Sequence, residues 1–216
     1  MEKIAQNLEK ITNSINSIMN ADRVKIIAVS KSHSLDTVSK AIKSGVFCFG
    51  ENKVRECKEK FKEIVNQFNL DLHMIGHLQT NKVKDALRIF GTIHTLDREN
   101  LALEIKKKLS ENSITKDFFI QINIGEEAQK SGIAIDQSDN FIQWCANDLK
   151  LNIIGLMCIP PFEAKAMPYF EKLKTIAKRN HLKKLSMGMS SDYIDAVKCG
   201  ATHIRIGTGI FGERNK

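Results

Sequence analysis

The chain of 216 residues is 42% hydrophobic and 27% charged, a balance that excludes a disordered chain and allows one sizeable core. Its formal charge of +8 is spread over lysines interleaved with glutamates, as at Lys58, Lys60, Lys62, Lys172 and Lys174, which argues for solvated helix faces and a small anionic ligand and against a nucleic-acid surface. Five cysteines without a Cys-x-x-Cys pair argue for reduced, buried thiols and no metal motif, and the absence of a signal-peptide pattern or membrane-length stretch predicts a cytoplasmic protein.

In chain order, Ile4, Leu8, Ile11, Ile15 and Met19 fall at helical spacing and predict an amphipathic opening helix. From there short β-branched or aromatic runs alternate with stretches of helical period. Strands are predicted at 24–29, 46–49, 72–76, 93–96, 118–124, 152–158, 184–187 and 203–206. Helices are predicted near 35–44, 52–67, 80–90, 98–110, 137–148, 163–180 and 190–199. Continuous apolar runs such as Ile-Ile-Ala-Val and Phe-Phe-Ile-Gln-Ile mark strands buried on both faces, hence a parallel sheet. Eight strand–helix units, no linker-like segment and three prolines gathered at 160, 161 and 168 favour a single (β/α)8 TIM-type barrel over 1–216, with the additional helix at its N-terminus. An open doubly wound sheet is the alternative.

In a barrel, chemistry gathers where strands end, and those ends are polar here. The first ends Ser30-Lys31, the second Gly50-Glu51-Asn52 and the third Gly76-His77-Leu78-Gln79. Lys31 either extends to water or serves as an amine nucleophile toward an aldehyde, a device shared by aldolases and pyridoxal phosphate proteins. The loops Ser-Met-Gly-Met-Ser-Ser-Asp after strand seven and Gly-Thr-Gly-Ile-Phe-Gly after strand eight suit phosphate binding, or else a chain turn and a helix cap at Ser190 or Ser191. By strand alternation His203 and Arg205 share one face, and an interior Arg205 needs an acceptor: a core carboxylate or the ring nitrogen of a pyridine cofactor.

These residues resemble those of the pyridoxal phosphate homeostasis proteins, single-domain barrels related to the N-terminal domain of alanine racemase. The resemblance runs through Ala-Val-Ser-Lys (28–31), Phe-Gly-Glu-Asn (49–52), Ile-Gly-His-Leu-Gln-Thr-Asn-Lys (75–82), Gln-Ile-Asn-Ile (121–124) and Lys-Ser-Gly-Ile (130–133). It continues in Gly-Leu-Met-Cys-Ile-Pro (155–160), Leu-Ser-Met-Gly-Met-Ser (185–190) and Arg-Ile-Gly-Thr-Gly-Ile-Phe-Gly (205–212). It implies a fold-type-III-like barrel holding pyridoxal 5'-phosphate (PLP) as a Schiff base on Lys31, with Arg205 facing the pyridine nitrogen. It also implies Ser186, Gly188, Ser190, Gly207 and Thr208 at the phosphate, and Asn52 and Met157 beside the ring. Two departures affect the rim: Ser32-His33-Ser34 stands where relatives often carry Thr and then Pro, and Ser191-Asp192 where an acidic pair is common.

The resemblance implies a role in intracellular PLP homeostasis, and indirectly in amino-acid metabolism, without robust catalysis. A racemase needs a placed acid or base, and alanine racemase takes one from an additional C-terminal domain of its partner. This chain ends soon after the eighth strand, so that domain is expected to be lacking. Tyr169 and Tyr193 fall in helical segments, which leaves His77, Cys158 or a partner chain as bases for the alternative, a PLP-dependent amino-acid racemase. A class I aldolase would leave Arg205 unexplained. A monomer that binds neither nucleic acid nor membrane, with apo PLP enzymes as possible acceptors of the cofactor, completes the expectation.

Overall fold

In the computed structural model, which describes residues 2–18, 21–112, 114–162 and 164–213, eight parallel strands close into a barrel in sequence order, each pairing with the next and the last with the first. The strands are β1 (Lys25–Val29), β2 (Cys48–Glu51), β3 (Asp71–Met74), β4 (Thr92–Leu96), β5 (Asp117–Gln121), β6 (Asn152–Met157), β7 (Lys184–Ser186) and β8 (His203–Ile206). The helices in chain order are α1 (Glu2–Asn16), α2 (Leu35–Lys43), α3 (Val54–Phe61), α4 (Val65–Phe68), α5 (Val83–Ile89), α6 (Glu99–Asn112), α7 (Ser138–Gln143), α8 (Met167–Arg179), α9 (Tyr193–Lys198) and α10 (Thr208–Phe211). Among the described residues no helix is long and apolar enough to cross a membrane.

The strands are apolar on both faces because each has two layers to serve. Phe118 and Ile120 belong to the main apolar core, while Phe119 turns to the other side of β5 and stacks on His94 inside the barrel. Burying each such aromatic stabilises the fold by about 1.5–3 kcal/mol. The opening helix buries Ile4, Ile11 and Ile15 and is tied to the last one by Asn7, whose Nδ2 donates to the Ile210 carbonyl at 3.0 Å. Met19 lies outside the described residues.

The structure moves several expected boundaries. The helix expected over 52–67 breaks after Phe61, where the amides of Ile64 and Gln67 bond three residues back instead of four. The helix expected from 163 begins at Met167, because Pro160 and Pro161 hold the chain extended and Pro168 fits only a first helical turn; residue 163 itself is not described. The helix after β5 closes as a π-turn, with the Leu149 amide reaching the Trp144 carbonyl at 3.0 Å. The strand expected over 118–124 ends at Gln121, after which Ile122 makes an isolated bridge to Ile133. All five cysteines are free, but Cys48 is partly exposed, not buried with the other four.

At Gly155 the edge of β6 meets β7 so closely that a Cβ would lie 2.0 Å from the Lys184 carbonyl oxygen. Backbone cannot yield as a side-chain tip can, so Gly155→Ala should destabilise the barrel by at least about 3 kcal/mol in chemical denaturation.

Candidate functional site

Parallel register brings the strand ends into one mouth. Val29 pairs with Gly50 and Ala28 with Ile206, which sets Lys31 at the height of Asn52 on one side and of residues 207–209 on the other. Gln121 pairs with Met157 and Met157 with Ser186, continuing the ring beneath the mouth. The two glycine loops meet: the Arg205 amide donates to the Gly188 carbonyl at 2.9 Å, and the Gly209 amide donates to Ser190 Oγ at 3.2 Å.

Lys31 is half-buried, and among the described residues its amine has neither hydrogen bond nor ion pair. Its two neighbours are clamped from below by α3. Lys60 donates to the Ser30 carbonyl at 2.7 Å, to Glu51 Oε1 at 2.8 Å and to Glu56 Oε1 at 3.0 Å. Ser30 Oγ donates to the same Glu51 oxygen at 2.7 Å, and the Ser32 amide donates to Glu56 Oε1 at 2.6 Å. That last bond holds Ser32 at φ 64, a conformation a serine avoids on its own. Ser34 then caps α2, its hydroxyl accepting from the Thr37 amide, and His33 packs against Phe211, the rings tilted by 32° with centroids 4.6 Å apart. The tripeptide that departs from the family pattern is thus anchored at each residue.

Beneath the mouth, Arg205 is 5% exposed and its guanidinium meets no carboxylate among the described residues. Nη1 donates to Ser186 Oγ at 2.8 Å and Nη2 to the Cys158 carbonyl at 2.9 Å. Of the two acceptors foreseen for Arg205, a core carboxylate is therefore not the one used. Ser186 Oγ also lies 2.8 Å from His94 Nδ1, and His94 Nε2 lies 2.8 Å from His73 Nδ1. With Arg205 a fixed donor, the consistent proton order passes the Ser186 hydrogen to His94 and the His94 hydrogen to His73. Burial first, then the neighbouring imidazoles and Arg205, hold His94 well below its ordinary value. Burial likewise pulls His203 down to about 3. Both rings are neutral at physiological pH.

These facts place the expected residues differently from one another. Lys31, Asn52, Gly188, Ser190, Gly207 and Thr208 lie along the mouth, and Met157 lies fully buried under it. Ser186 is fully buried, and its hydroxyl is engaged by Arg205 and His94, so in this structure it props the guanidinium. Gly188 needs its glycine, at φ +94 with a Cβ position 2.6 Å from Ala196 Cβ, whereas a Cβ at Gly207 would meet nothing nearer than Val29 at 3.7 Å. The space over Gly207 is left open by the protein itself.

Of the bases considered for a racemase, His77 sits 3.3 Å from Asp97 Oδ2 with half its side chain exposed. Burial pushes the Cys158 thiol up to about 12. Tyr169 and Tyr193 lie half-buried against the core. The clamp of Lys60, Glu51 and Glu56 and the inner chain of His94 and His73 escaped the sequence reading. Glu51 lay in a motif already singled out, and His73 and His94 show the in-facing parity of their strands.

A family model described as "Alanine racemase, N-terminal domain" matches residues 1–215. Proteins named "Pyridoxal phosphate homeostasis protein" are similar along nearly their whole length. That of Aquifex aeolicus is 35% identical, covering 99% of this chain and 97% of its own, and that of Haemophilus influenzae is 37% identical, covering 91% and 87%. The structure of PipY from Synechococcus elongatus with PLP bound superposes with a TM-score of 0.87 at 30% identity, over 97% of this chain and 100% of that one. Alanine racemase from Corynebacterium glutamicum shares the fold, with a TM-score of 0.72 at 13% identity over 100% of this chain and 62% of that one.

Glu51 and Lys60 are both nearly solvent-free, so removing one strands the other. Burial, opposed by Lys60 and Ser30, pushes the Glu51 carboxyl above its ordinary 4.5. The fold therefore favours the protonated acid, and stability linked to it is full below that ordinary value and declines as pH rises through the higher folded-state value. Lys60→Met removes an opposing effect. It should cost about 3–5 kcal/mol near neutral pH, markedly less in denaturation at pH below about 4.5, and be largely rescued by adding Glu51→Gln.

Proposed function

The chain belongs to the family of the alanine racemase N-terminal domain, and on that premise we propose that it binds PLP and serves PLP homeostasis, not sustained catalysis. The relatives' names and the PLP-bound PipY structure support this reading. The observation that carries it to this chain's own residues is the buried Arg205 guanidinium, unpaired with any described carboxylate, under a mouth that holds the unpaired Lys31 amine.

These residues fit the cofactor. PLP brings an aldehyde that condenses with an amine, a pyridine ring that accepts hydrogen bonds at nitrogen, and a phosphate. Lys31 supplies the amine, and α3 holds the backbone on either side of it. Arg205 offers N–H donors to a ring nitrogen and yields no proton to it. Ser190 and Thr208 offer hydroxyls to the phosphate, Gly207 lets it come close to the backbone, and Gly188 shapes the loop that carries Ser190. Asn52 and Met157 border the ring. Ser186 acts at one remove, fixing the guanidinium.

The same residues argue for holding the cofactor over turning over substrates. An unprotonated ring nitrogen is a poor electron sink. The neutral imidazoles His94 and His203 are sealed inside the barrel, and the raised Cys158 thiol stays protonated and offers no base. The wider reading is a single-domain, cytoplasmic monomer that binds neither nucleic acid nor membrane and hands PLP to apo enzymes. The i,i+4 pairs Lys40–Asp36 and Arg55–Glu59, which occupy surface cations within single helices, support the part concerning nucleic acid.

Protein incubated with PLP should turn yellow, and borohydride followed by peptide mapping should place the label on Lys31, with Lys31→Ala colourless. A wild type that stays colourless removes the binding reading. Sustained racemisation of any amino acid, followed by chiral analysis, replaces homeostasis with an enzyme. Restoration of an apo PLP enzyme by the yellow protein, faster than by the free PLP it releases, is the expected sign of delivery.

A further inference from the structure

We propose that the foot of the barrel, at the opposite end of the strands from Lys31, binds a divalent transition-metal ion of the zinc class through Cys48 Sγ, an Asp71 carboxylate oxygen and His73 Nε2. Among the described residues these three bring one ligand atom each to within 4.8 Å of one another. Register creates the cluster. Cys48 and Asp71 are direct partners at the starts of β2 and β3, and His73, paired with Gly50 one step further along, keeps the same parity. No linear spacing announces such a trio, since its members come from adjacent parallel strands.

Two observations point to a ligand. His73 is 1% exposed, and its Nε2 is a buried polar atom with no hydrogen-bond partner. It lies 3.1 Å from Asp71 Oδ2, close enough for a bond but not aligned for one. That separation is close to the roughly 3.3 Å edge of a tetrahedron with bonds of about 2.0 Å. The donor set is also selective: thiolate with imidazole and one carboxylate suits Zn2+ or Co2+, whereas Mg2+ and Ca2+ require oxygen. A cavity of ≈ 490 Å³ lined in part by Lys25, Cys48 and Asp71 gives access and room for a water as fourth ligand.

The support behind His73 is of the kind metal-bound imidazoles use. Its Nδ1 lies 2.8 Å from His94 Nε2, and with a metal on Nε2 the Nδ1 hydrogen would be donated to His94, reversing the proton order of the metal-free chain. Lys25 occupies the cation's place in the structure, its ammonium 2.5 Å from Asp71 Oδ2. Its side chain is 44% exposed and can swing into water. Binding forms a metal–sulfur bond and breaks the Cys48 S–H bond, the proton passing to buffer. No electron is transferred.

The test is titration of the PLP-loaded full chain with Co2+. We expect a near-ultraviolet thiolate-to-cobalt band with the strong visible bands of four-coordinate cobalt, saturating at one equivalent and bleached by Zn2+. Cys48→Ser should abolish the thiolate band while the PLP absorbance remains. Lys25→Met, which removes the competing ammonium, should tighten binding at least about tenfold. Should Cys48→Ser fail to fold, Lys25→Met still decides. An absent thiolate band in wild type, a band that survives Cys48→Ser, or affinity unchanged in Lys25→Met overturns the proposal. Loss of PLP colour together with these results would bear on the cofactor reading, and its retention confines the failure to the metal site.

Discussion

A guanidinium inside a closed barrel, with only a hydroxyl and a carbonyl among described groups to receive its protons, is the constraint on which the site depends. Burying a charge is costly unless hydrogen bonds replace the lost water. Ser186 and the Cys158 carbonyl do part of this for Arg205, and each has its own requirement. Ser186 must turn its hydrogen elsewhere, which fixes His94. His94 must then donate onward, which fixes His73. A polar axis therefore runs down the centre of a barrel whose walls are otherwise aliphatic and aromatic.

The mouth and the foot answer that axis in opposite ways. At the mouth Lys31 stands level with residues 207–209, and the Arg205 guanidinium lies beneath it on Ser186 and the Cys158 carbonyl. At the foot the chain of imidazoles ends on Asp71, whose carboxyl is held well below its ordinary range by His73 foremost and then by Lys25, against the effect of burial. Between Arg205 and His73 the hydrogen bonds run through Ser186 and the neutral His94, and the path stops at His73 Nε2, which has no aligned partner. A barrel filled only with Val and Leu would pack as well and connect nothing.

Outside the barrel wall, the Lys60 clamp does for Lys31 what Ser186 does for Arg205. The lysine follows the last strand residues, in a turn that includes a left-handed serine, and such a turn wanders unless its backbone is tied. Lys60 and Glu56 tie it from α3, so an ion pair in the layer between sheet and helices fixes the backbone on both sides of Lys31. Specificity of direction, more than stability, is the return on burying Glu51 with one oxygen left unpartnered.

Eight apolar runs alternating with helices, a parallel barrel, and the gathering of Lys31, Asn52, the two glycine loops and Arg205 at one end were all legible in the sequence. Those features are local: a strand buried on both faces shows in composition, and alternation tells which residues share a face. Only the folded chain reveals that Ser186 supports Arg205, that Lys60 from a surface-like helix is buried against Glu51, and that Cys48, Asp71 and His73 converge. Each of those depends on strand stagger and on which helix residue lies over which strand. Such distances are set by closure of the whole sheet, and no window of neighbouring residues contains them.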